Sequence, residues 1–323
     1  MSSSLLYGLG VMSGTSLDGI DICYVEFKKE DDSYFRIINS KTYKYNSIWT
    51  NKLGDIHLKN DLEIKKIDLD YGILISKKIL EFLNDNNISN LDFISSHGHT
   101  VKHKPPYYSI QIGNGKIIRE LTNVTTINDF RVQDIRLGGQ GAPLVPIGDK
   151  YLFGNYDSCL NLGGIANISF GNIGSTKAFD ICGCNILLNK YSKIYDKEFD
   201  EFGKLSSKGK VIPELIERLD SISYSLIDGP KSLDKEKLLN DNYKLIDDYL
   251  ANKSDIDLKK TGHNILATIV EHISNEIFNV VSKQNNLKNI LITGGGAKNN
   301  FLIDQIKTKL NCCLLYTSDA ADD

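Results

Sequence analysis

The chain has 323 residues, with 38 Lys or Arg against 41 Asp or Glu, so its formal net charge is −3. Hydrophobic residues make up 41% and charged residues 24%, which is typical of a globular protein and excludes collagen-like, low-complexity and disordered chains. The balanced charge argues against a general nucleic-acid binder, and the length predicts about two domains.

No basic residue precedes the first apolar run, and no stretch has the roughly 18 uncharged apolar residues that span a bilayer. We therefore expect a cytoplasmic protein with no signal peptide and no membrane partner.

Apolar runs predict two β-hairpins, each a strand, a glycine-containing turn and a strand, over 5–27 and 158–170. The remaining predicted elements are a helix over 71–83, a strand over 91–95, helices with loops over 195–260, a helix over 265–277, a strand over 287–293 and a helix over 299–310. The paired hairpins indicate a duplicated architecture with a phosphate loop in each half. Two unrelated hairpins are the alternative, since hairpins are common.

Three segments are rich in glycine. The first, residues 12–21, packs Gly, Ser and Thr into a turn whose N–H groups and hydroxyls suit phosphate oxygens, and its carboxylates Asp18 and Asp21 suit Mg²⁺. The second is 161–168, where adjacent glycines let a ligand approach the backbone, and the third is 293–300, which joins a strand to a helix. Each could instead be an ordinary turn.

Two polar segments complete the candidate site. Residues 96–100 and 128–144 place hydrogen-bonding side chains on glycine-rich backbone, which suits a polyhydroxylated ligand, although loop polarity alone is the simpler interpretation. Asp180 lies between an apolar strand end and a glycine turn, where it could be a general base or only a turn residue.

The six Cys have no CxxC spacing and do not predict a disulfide scaffold. The pair Cys182 and Cys184 could hold a soft metal, but it has no evident partner ligands, so buried thiols are the preferred interpretation.

Taken together, the ordered motifs over 8–310 resemble the anhydro-N-acetylmuramic acid kinase family of the actin/hexokinase/Hsp70-like superfamily. The most specific are Gly14-Thr15-Ser16-Leu17-Asp18-Gly19, the Asp129-Phe130-Arg131 block followed by Gly138-Gly139-Gln140-Gly141, and Gly163-Gly164-Ile165-Ala166-Asn167. The resemblance implies an α/β, two-lobed actin/hexokinase-like (ribonuclease H-like) fold with a central nucleotide and sugar cleft. We expect lobes over 1–130 and 131–312, the second truncated, and a non-native tail over 313–323.

The resemblance also implies an ATP- and Mg²⁺-dependent kinase that opens 1,6-anhydro-N-acetylmuramic acid with water and phosphorylates O6. It makes Asp180 the catalytic base, and a homodimer is expected. The implied ATP-binding residues are Gly14, Thr15, Ser16, Leu17, Asp18, Gly19, Ile20, Asp21, Gly163, Gly164, Asn167, Gly294, Gly295 and Gly296. The implied sugar-binding residues are His97, His99, Thr100, Arg131 and Gln140, and the Mg²⁺ ligands, directly or through water, are Asp18 and Asp21.

The chain departs from the family pattern at two places. Cys182-Gly183-Cys184 replaces Gly-Pro-Gly after the catalytic Asp, and His99 replaces a Gln. The alternatives are a levoglucosan kinase, a catalytically inactive nucleotide-binding relative, and a metal or redox protein built on the Cys pair.

Overall fold

The computed structural model describes residues 4–14, 17, 19–104, 107–139, 141, 144–171, 175–222, 233, 235–252, 257–284, 287–310 and 313–316, with the backbone alone at 32, 235–239 and 313–316. The chain divides into two compact units, Met1–Leu144 and Val145–Asp323. The sequence placed this boundary after residue 130, whereas the structure groups 131–144 with the first unit.

The first unit contains a five-stranded sheet, a separate hairpin and four helices among its described residues. Its strands are Leu5–Met12 (β1), Gly19–Lys28 (β2), Asp31–Lys44 (β3), Phe93–Ser96 (β4), His99–Lys104 (β5), Tyr108–Ile112 (β6) and Thr125–Asn128 (β7), and its helices are Ser47–Gly54 (α1), Asp61–Asp85 (α2), Gly115–Thr122 (α3) and Phe130–Arg136 (α4). The sheet order is β3-β2-β1-β4-β7, in which β1, β2 and β3 are antiparallel and β4 and β7 run parallel to β1.

Helix α2 shows why the first unit folds as it does. Asn60 and Glu63 form a reciprocal capping box at its start, which satisfies backbone N–H groups that no helical bond can reach. Residues spaced three and four apart then form one apolar stripe, with Ile75, Ile79 and Phe82 almost fully buried. The stripe packs into a core shared with the sheet.

The second unit repeats the sheet topology. Its strands are Ser158–Leu162 (β8), Ile165–Phe170 (β9), Lys177–Gly183 (β10), Asn289–Thr293 (β11) and Cys313–Tyr316 (β12), and its helices are Val145–Leu152 (α5), Asn185–Ser192 (α6), Pro213–Ser221 (α7), Lys235–Ala251 (α8), Leu258–Val281 (α9) and Asn300–Lys309 (α10). The order β10-β9-β8-β11-β12 has the same antiparallel triplet followed by two parallel strands.

Helix α9 is the centre of the second core. Asp257 caps its start by accepting hydrogen bonds from Lys259 N and Lys260 N. Most of its middle is buried all round, as expected of a helix enclosed by others, and it packs against α6, α7 and α10.

The α/β fold class is confirmed. When the strands of each sheet are numbered one to five in chain order, both sheets have the order 3-2-1-4-5, which is the duplication that the paired hairpins predicted. Strand β3 and the β5–β6 hairpin were not predicted from the sequence. Residues 313–323 were predicted to be a separate tail, and within them Cys313–Tyr316 pairs in parallel with β11 as an edge strand. Within the described part of the chain, no helix is long and apolar enough to cross a membrane.

Candidate functional site

The loop between β1 and β2 is anchored by a chain of polar side chains. The Oγ of buried Ser13 lies 2.7 Å from the Tyr45 hydroxyl and 3.4 Å from His99 Nδ1. The Tyr45 hydroxyl lies 2.5 Å from that of Tyr71, and the His99 ring packs edge-on against Tyr71. Since His99 is 3% exposed, it supports the loop in this structure, and its predicted contact with the sugar stays a prediction.

Within this loop, the described residues have distinct structural roles. Leu17, at φ 61°, packs against the core and donates its N–H to Gly14 O at 3.4 Å. A Cβ on Gly19 would lie 2.4 Å from Tyr43 O, so close strand packing requires glycine there. The side chain of Ile20 is in the core, which leaves its backbone for any ligand contact. Thr15, Ser16 and Asp18 lie outside the described residues.

Asp21 offers a carboxylate beside this loop. It is exposed, and its Oδ1 accepts a hydrogen bond from Thr42 Oγ1 at 2.5 Å. Asp21 lies opposite both Met12 and Thr42 in the strand pairing, so the sheet fixes its position. A fixed, exposed carboxylate is chemically suited to a hard cation such as Mg²⁺.

His97 is held as a neutral hydrogen-bond acceptor. Its Nδ1 lies 3.0 Å from Gly98 O, while Arg131 Nη2 and Gln111 Nε2 approach its Nε2 at 3.1 and 3.2 Å. Because both partners of Nε2 are donors, the proton belongs on Nδ1. Burial lowers the pKa of His97, and the Arg131 cation lowers it further. These contacts fix the orientation of the His97 ring, and the lowered pKa favours its neutral form.

Arg131 joins His97 to the glycine-rich segment after α4. Its Nη1 donates to Gly141 O at 3.0 Å, and Gly141 N donates to Asp134 Oδ2 at 2.6 Å. A Cβ on Gly139 would lie 2.2 Å from the same carboxylate oxygen, so this close approach requires glycine. The structure thus brings His97 and Arg131 together. Half-buried Thr100 lies opposite Gln111 in the β5–β6 pairing, and Gln140 lies outside the described residues.

In the second unit, polar side chains form a row across four strands. The strand register pairs Thr293 with Asn161, Asn161 with Asn167, and Asn167 with Asp180. Directly opposed residues on neighbouring strands share a face of the sheet, and all four residues are partly exposed. The row places the predicted base Asp180 beside the predicted nucleotide ligand Asn167.

Asp180 occupies a special position on β10. The register against β9 shifts between Asp180 and Cys182, which makes buried Ile181 the extra residue of a β-bulge. Bulges redirect side chains and are frequent next to active sites. Asp180 Oδ2 accepts a hydrogen bond from Leu233 N at 2.9 Å, which orients the half-buried carboxylate.

The Gly163-Gly164 turn closes onto the start of α6 through main-chain atoms. Cys184 N and Ile186 N both bond Gly164 O, at 2.9 and 3.2 Å, and Asn185 N bonds Gly163 O at 3.1 Å. Cys184 has φ −120°, which lies outside the left-handed region that favours glycine. The Cys182-Gly183-Cys184 departure from the family pattern is therefore compatible with a closed turn.

The third glycine segment packs against the same turn. At Gly294, φ is 82° and a Cβ would lie 2.4 Å from Asn161 Oδ1, while a Cβ on Gly296 would lie 2.7 Å from Leu162 Cβ. Both positions thus require glycine for packing. A Cβ on Gly164 would meet nothing within 4 Å, and one on Gly295 would meet Asn185 Nδ2 at an ordinary 3.7 Å. Neither packing nor a positive φ explains why glycine occupies these two positions. Close approach of a ligand to the backbone would explain both.

The two central cysteines are buried thiols. Cys182 and Cys184 are 1% and 0% exposed, and burial raises the pKa of Cys184 to about 12. Among the described residues, the group that could supply three metal ligands is Asp220, His272 and Glu276, which contains neither cysteine. These observations do not support a metal or redox centre at the Cys pair.

Several supporting residues had no strong signal in the sequence. Asn161 and Thr293 lie near the ends of predicted strands, but their alignment with Asp180 depends on strand register. Gln111, Tyr45 and the backbone of Leu233 reach the site through contacts between residues 14 to 53 positions apart. Sequence spacing does not predict such contacts.

The chain is similar to one protein family over nearly its whole length. The family model described as anhydro-N-acetylmuramic acid kinase matches residues 6–322. A curated relative of that name from Acinetobacter baylyi is 32% identical over 94% of this chain and 83% of its own length. Another, from Francisella tularensis subsp. novicida, is 31% identical over 99% of this chain and 88% of its own length. Among solved structures, component A of the Acidaminococcus fermentans (R)-2-hydroxyglutaryl-CoA dehydratase matches with a TM-score of 0.48 at 11% identity, covering 97% of this chain and 92% of that one.

Proposed function

The chain belongs to the anhydro-N-acetylmuramic acid kinase family, and we propose from this the reaction that it catalyses. It is an ATP-dependent kinase that opens 1,6-anhydro-N-acetylmuramic acid with water and phosphorylates O6, giving N-acetylmuramate 6-phosphate and ADP in the recycling of cell-wall sugars. The observation that best supports this is Asp180, held at a β-bulge beside Asn167 and the Gly163-Gly164 turn.

In the proposed reaction, Asp180 takes a proton from a water molecule while the water oxygen attacks the anomeric carbon. The bond from that carbon to the bridging oxygen breaks, and this oxygen, now O6, takes the γ-phosphoryl group of ATP. The hydrogen bond from Leu233 N fixes one carboxylate oxygen, so the base is oriented before the substrate arrives. The proton on Asp180 later returns to solvent.

ATP is assigned to the glycine segments. Exposed Gly164 and Gly295 leave room for a close ligand, so we assign the Gly163-Gly164 turn to phosphate and the 294–296 segment to the adenosine. Asn167 would add a side-chain amide to the phosphate contacts. In the first unit, the anchored loop of residues 14–21 would be the other phosphate loop.

Asp21 fits a role as Mg²⁺ ligand, because its exposed carboxylate is fixed by Thr42. When bound, Mg²⁺ would neutralise charge on the transferring phosphates. Asp18 is the second proposed ligand. A cytoplasmic location and a homodimeric state remain predictions from the sequence.

The proposal is tested by ADP release from purified protein with ATP and Mg²⁺, under three conditions: no sugar, 1,6-anhydro-N-acetylmuramate, and levoglucosan. We expect release that depends on the muramate. Release with levoglucosan alone would keep the reaction type and change the substrate. A folded protein that binds ATP in calorimetry but releases no ADP with either sugar would contradict the catalytic proposal and identify an inactive relative.

A further inference from the structure

One face of the β5–β6 hairpin carries polar side chains that the predicted site did not include. His103 lies directly opposite Ser109 in the strand pairing, and Ser109 and Gln111 are two residues apart on β6, so all three share that face. Helix α4 packs against β6, and the Arg131 side chain meets Gln111 at the ring of His97. We call His103, Ser109, Gln111 and Arg131 the hairpin cluster.

The hairpin cluster contains buried polar atoms that the described part of the chain leaves unpaired. They are His103 Nδ1, His103 Nε2, Ser109 Oγ, Gln111 Oε1 and Arg131 Nε. An unpaired buried polar atom costs about 1–3 kcal/mol, so native structures keep few of them. Five such atoms on four neighbouring residues indicate a place where another polar group belongs.

The charge of the hairpin cluster is also uncompensated among the described residues. The groups that accept hydrogen bonds from the Arg131 guanidinium are Gly141 O and His97 Nε2, and both are neutral. Burial lowers the pKa of Arg131, and the Arg131 cation contributes to lowering the pKa of both His97 and His103. A partly buried cation beside neutral donors is an environment that stabilises an anion.

We propose that the hairpin cluster binds the carboxylate of the lactyl group of 1,6-anhydro-N-acetylmuramate and thereby selects it over sugars without that group. This inference rests on the proposed function. Arg131 Nε–H, the Ser109 hydroxyl and one ring N–H of His103 donate to the carboxylate oxygens. Gln111 Oε1 is an acceptor and suits a hydroxyl or amide N–H of the same sugar.

Two anions take part in the proposed reaction, and the hairpin cluster suits one of them better. A single guanidinium among neutral side chains matches one carboxylate, whereas ATP phosphates carry several charges and favour glycine loops and Mg²⁺. The cluster has neither a glycine loop nor a second cation among its four members. The unpaired atoms are buried in this structure, so the proposal includes a movement of the hairpin or of the Arg131 side chain that admits the carboxylate.

The test compares two sugars that differ in this group alone: 1,6-anhydro-N-acetylmuramate and 1,6-anhydro-N-acetylglucosamine, which has a hydroxyl in place of the lactyl ether. The variants are Arg131→Lys and Ser109→Ala, with Arg136→Lys as a matched control on the exposed face of the same helix. ADP release gives kcat and KM for each sugar and for ATP, and melting temperatures report folding.

We expect Arg131→Lys to raise KM for the muramate about tenfold or more and Ser109→Ala a few-fold, as for loss of a hydrogen bond to a charged group. The kinetics with the glucosamine analogue and KM for ATP should change less than KM for the muramate, and Arg136→Lys should match the wild type. A raised KM for ATP with unchanged sugar preference would assign the anion to the nucleotide and overturn the proposal. Equal effects on both sugars would overturn it too.

If the wild type releases no ADP with any sugar, the proposed function fails. The carboxylate-binding role of the hairpin cluster is then tested by sugar binding alone. Calorimetric titration of each sugar then replaces kinetics. Tighter binding of the muramate than of the glucosamine analogue, lost in Arg131→Lys and Ser109→Ala, would support the hairpin cluster. Equal binding of both sugars by the wild type would overturn it.

Discussion

The two sheets share one strand order but place their carboxylates on different strands. In the first, the row across the antiparallel strands is Met12, Asp21 and Thr42, and in the second it is Asn161, Asn167 and Asp180. Asp21 and Asn167 are each the third residue of the second strand. The acid therefore lies on the second strand in one unit and on the third strand in the other.

This difference separates two kinds of carboxylate chemistry. Asp21 is exposed and takes a hydrogen bond from a hydroxyl on the third strand, which suits a metal ligand. Asp180 is half-buried at a bulge and takes a backbone N–H bond, which suits a base that must be oriented and partly shielded from water. One topology thus supports two roles, because the carboxylate lies on a different strand in each row.

The largest expected effect is at Asp180. Asp180→Asn keeps the shape of the side chain and its acceptor for Leu233 N but removes the base. We expect ADP release to fall about 10²–10⁴-fold, the usual contribution of general-base catalysis. Asp304→Asn, on the exposed side of α10, is the control and should retain full activity. Retention of more than a tenth of the activity by Asp180→Asn would contradict the assignment.

Asp21→Asn tests the other carboxylate. If Asp21 binds Mg²⁺, the Mg²⁺ concentration for half-maximal activity should rise about tenfold or more, and Thr42→Val should cause a smaller shift in the same direction. Activity measured over a Mg²⁺ titration gives both values. An Asp21→Asn enzyme with normal Mg²⁺ dependence and lower kcat would instead place Asp21 in the chemical step.

Two glycines of the second unit, Gly294 and Gly164, test whether glycine is required there for packing or for contact with a ligand. Gly294→Ala should lower the free energy of unfolding by about 1–3 kcal/mol, because its Cβ would overlap Asn161. Gly164→Ala should leave stability unchanged and raise KM for ATP. Denaturant unfolding and ATP kinetics on the two variants check this. A normal KM for ATP in Gly164→Ala would argue against a phosphate at that turn.

The smallest expected effect is a pH dependence of stability from His97 and His103. Burial lowers the pKa of both imidazoles below the usual value of about 6.5, so the unfolded chain binds more protons than the folded chain in acid. The free energy of unfolding should therefore fall as pH drops below about 6.5. Denaturant unfolding between pH 5 and 8, with His103→Gln for comparison, measures this contribution. A variant with the wild-type slope would show that His103 does not contribute.

Local pattern predicted the elements that form over short distances. The opening hairpin, α2, the Gly-Gly hairpin, α9 and β11 all follow from apolar periodicity and turn residues. By contrast, β3 carries many polar residues along an exposed edge, which hides its strand pattern. The short β5–β6 hairpin lies outside both main sheets and also lacks a long apolar run.

The candidate site likewise has one part that local sequence motifs predict and another that only the fold brings together. Motifs predicted Asp180, Gly164 and Arg131 as site residues, because glycine turns and isolated carboxylates stand out in a sequence, and these assignments stay predictions. The hydrogen bond from Leu233 N to Asp180 and the bonds from Gln111 to His97 join distant segments, so the fold alone brings them together. The other members of the hairpin cluster, His103, Ser109 and Gln111, were not predicted, since unpaired buried atoms exist only once the chain is packed.

The most direct test of the account is to run the reaction with 1,6-anhydro-N-acetylmuramate and ATP in ¹⁸O-labelled water and to locate the label by mass spectrometry of the fragmented product. Water attack at the anomeric carbon predicts a 6-phosphorylated sugar with one ¹⁸O at that carbon and none in the phosphate. Label in inorganic phosphate, with the anhydro ring intact, would show plain ATP hydrolysis and would contradict the role of Asp180 as the base that activates water for ring opening.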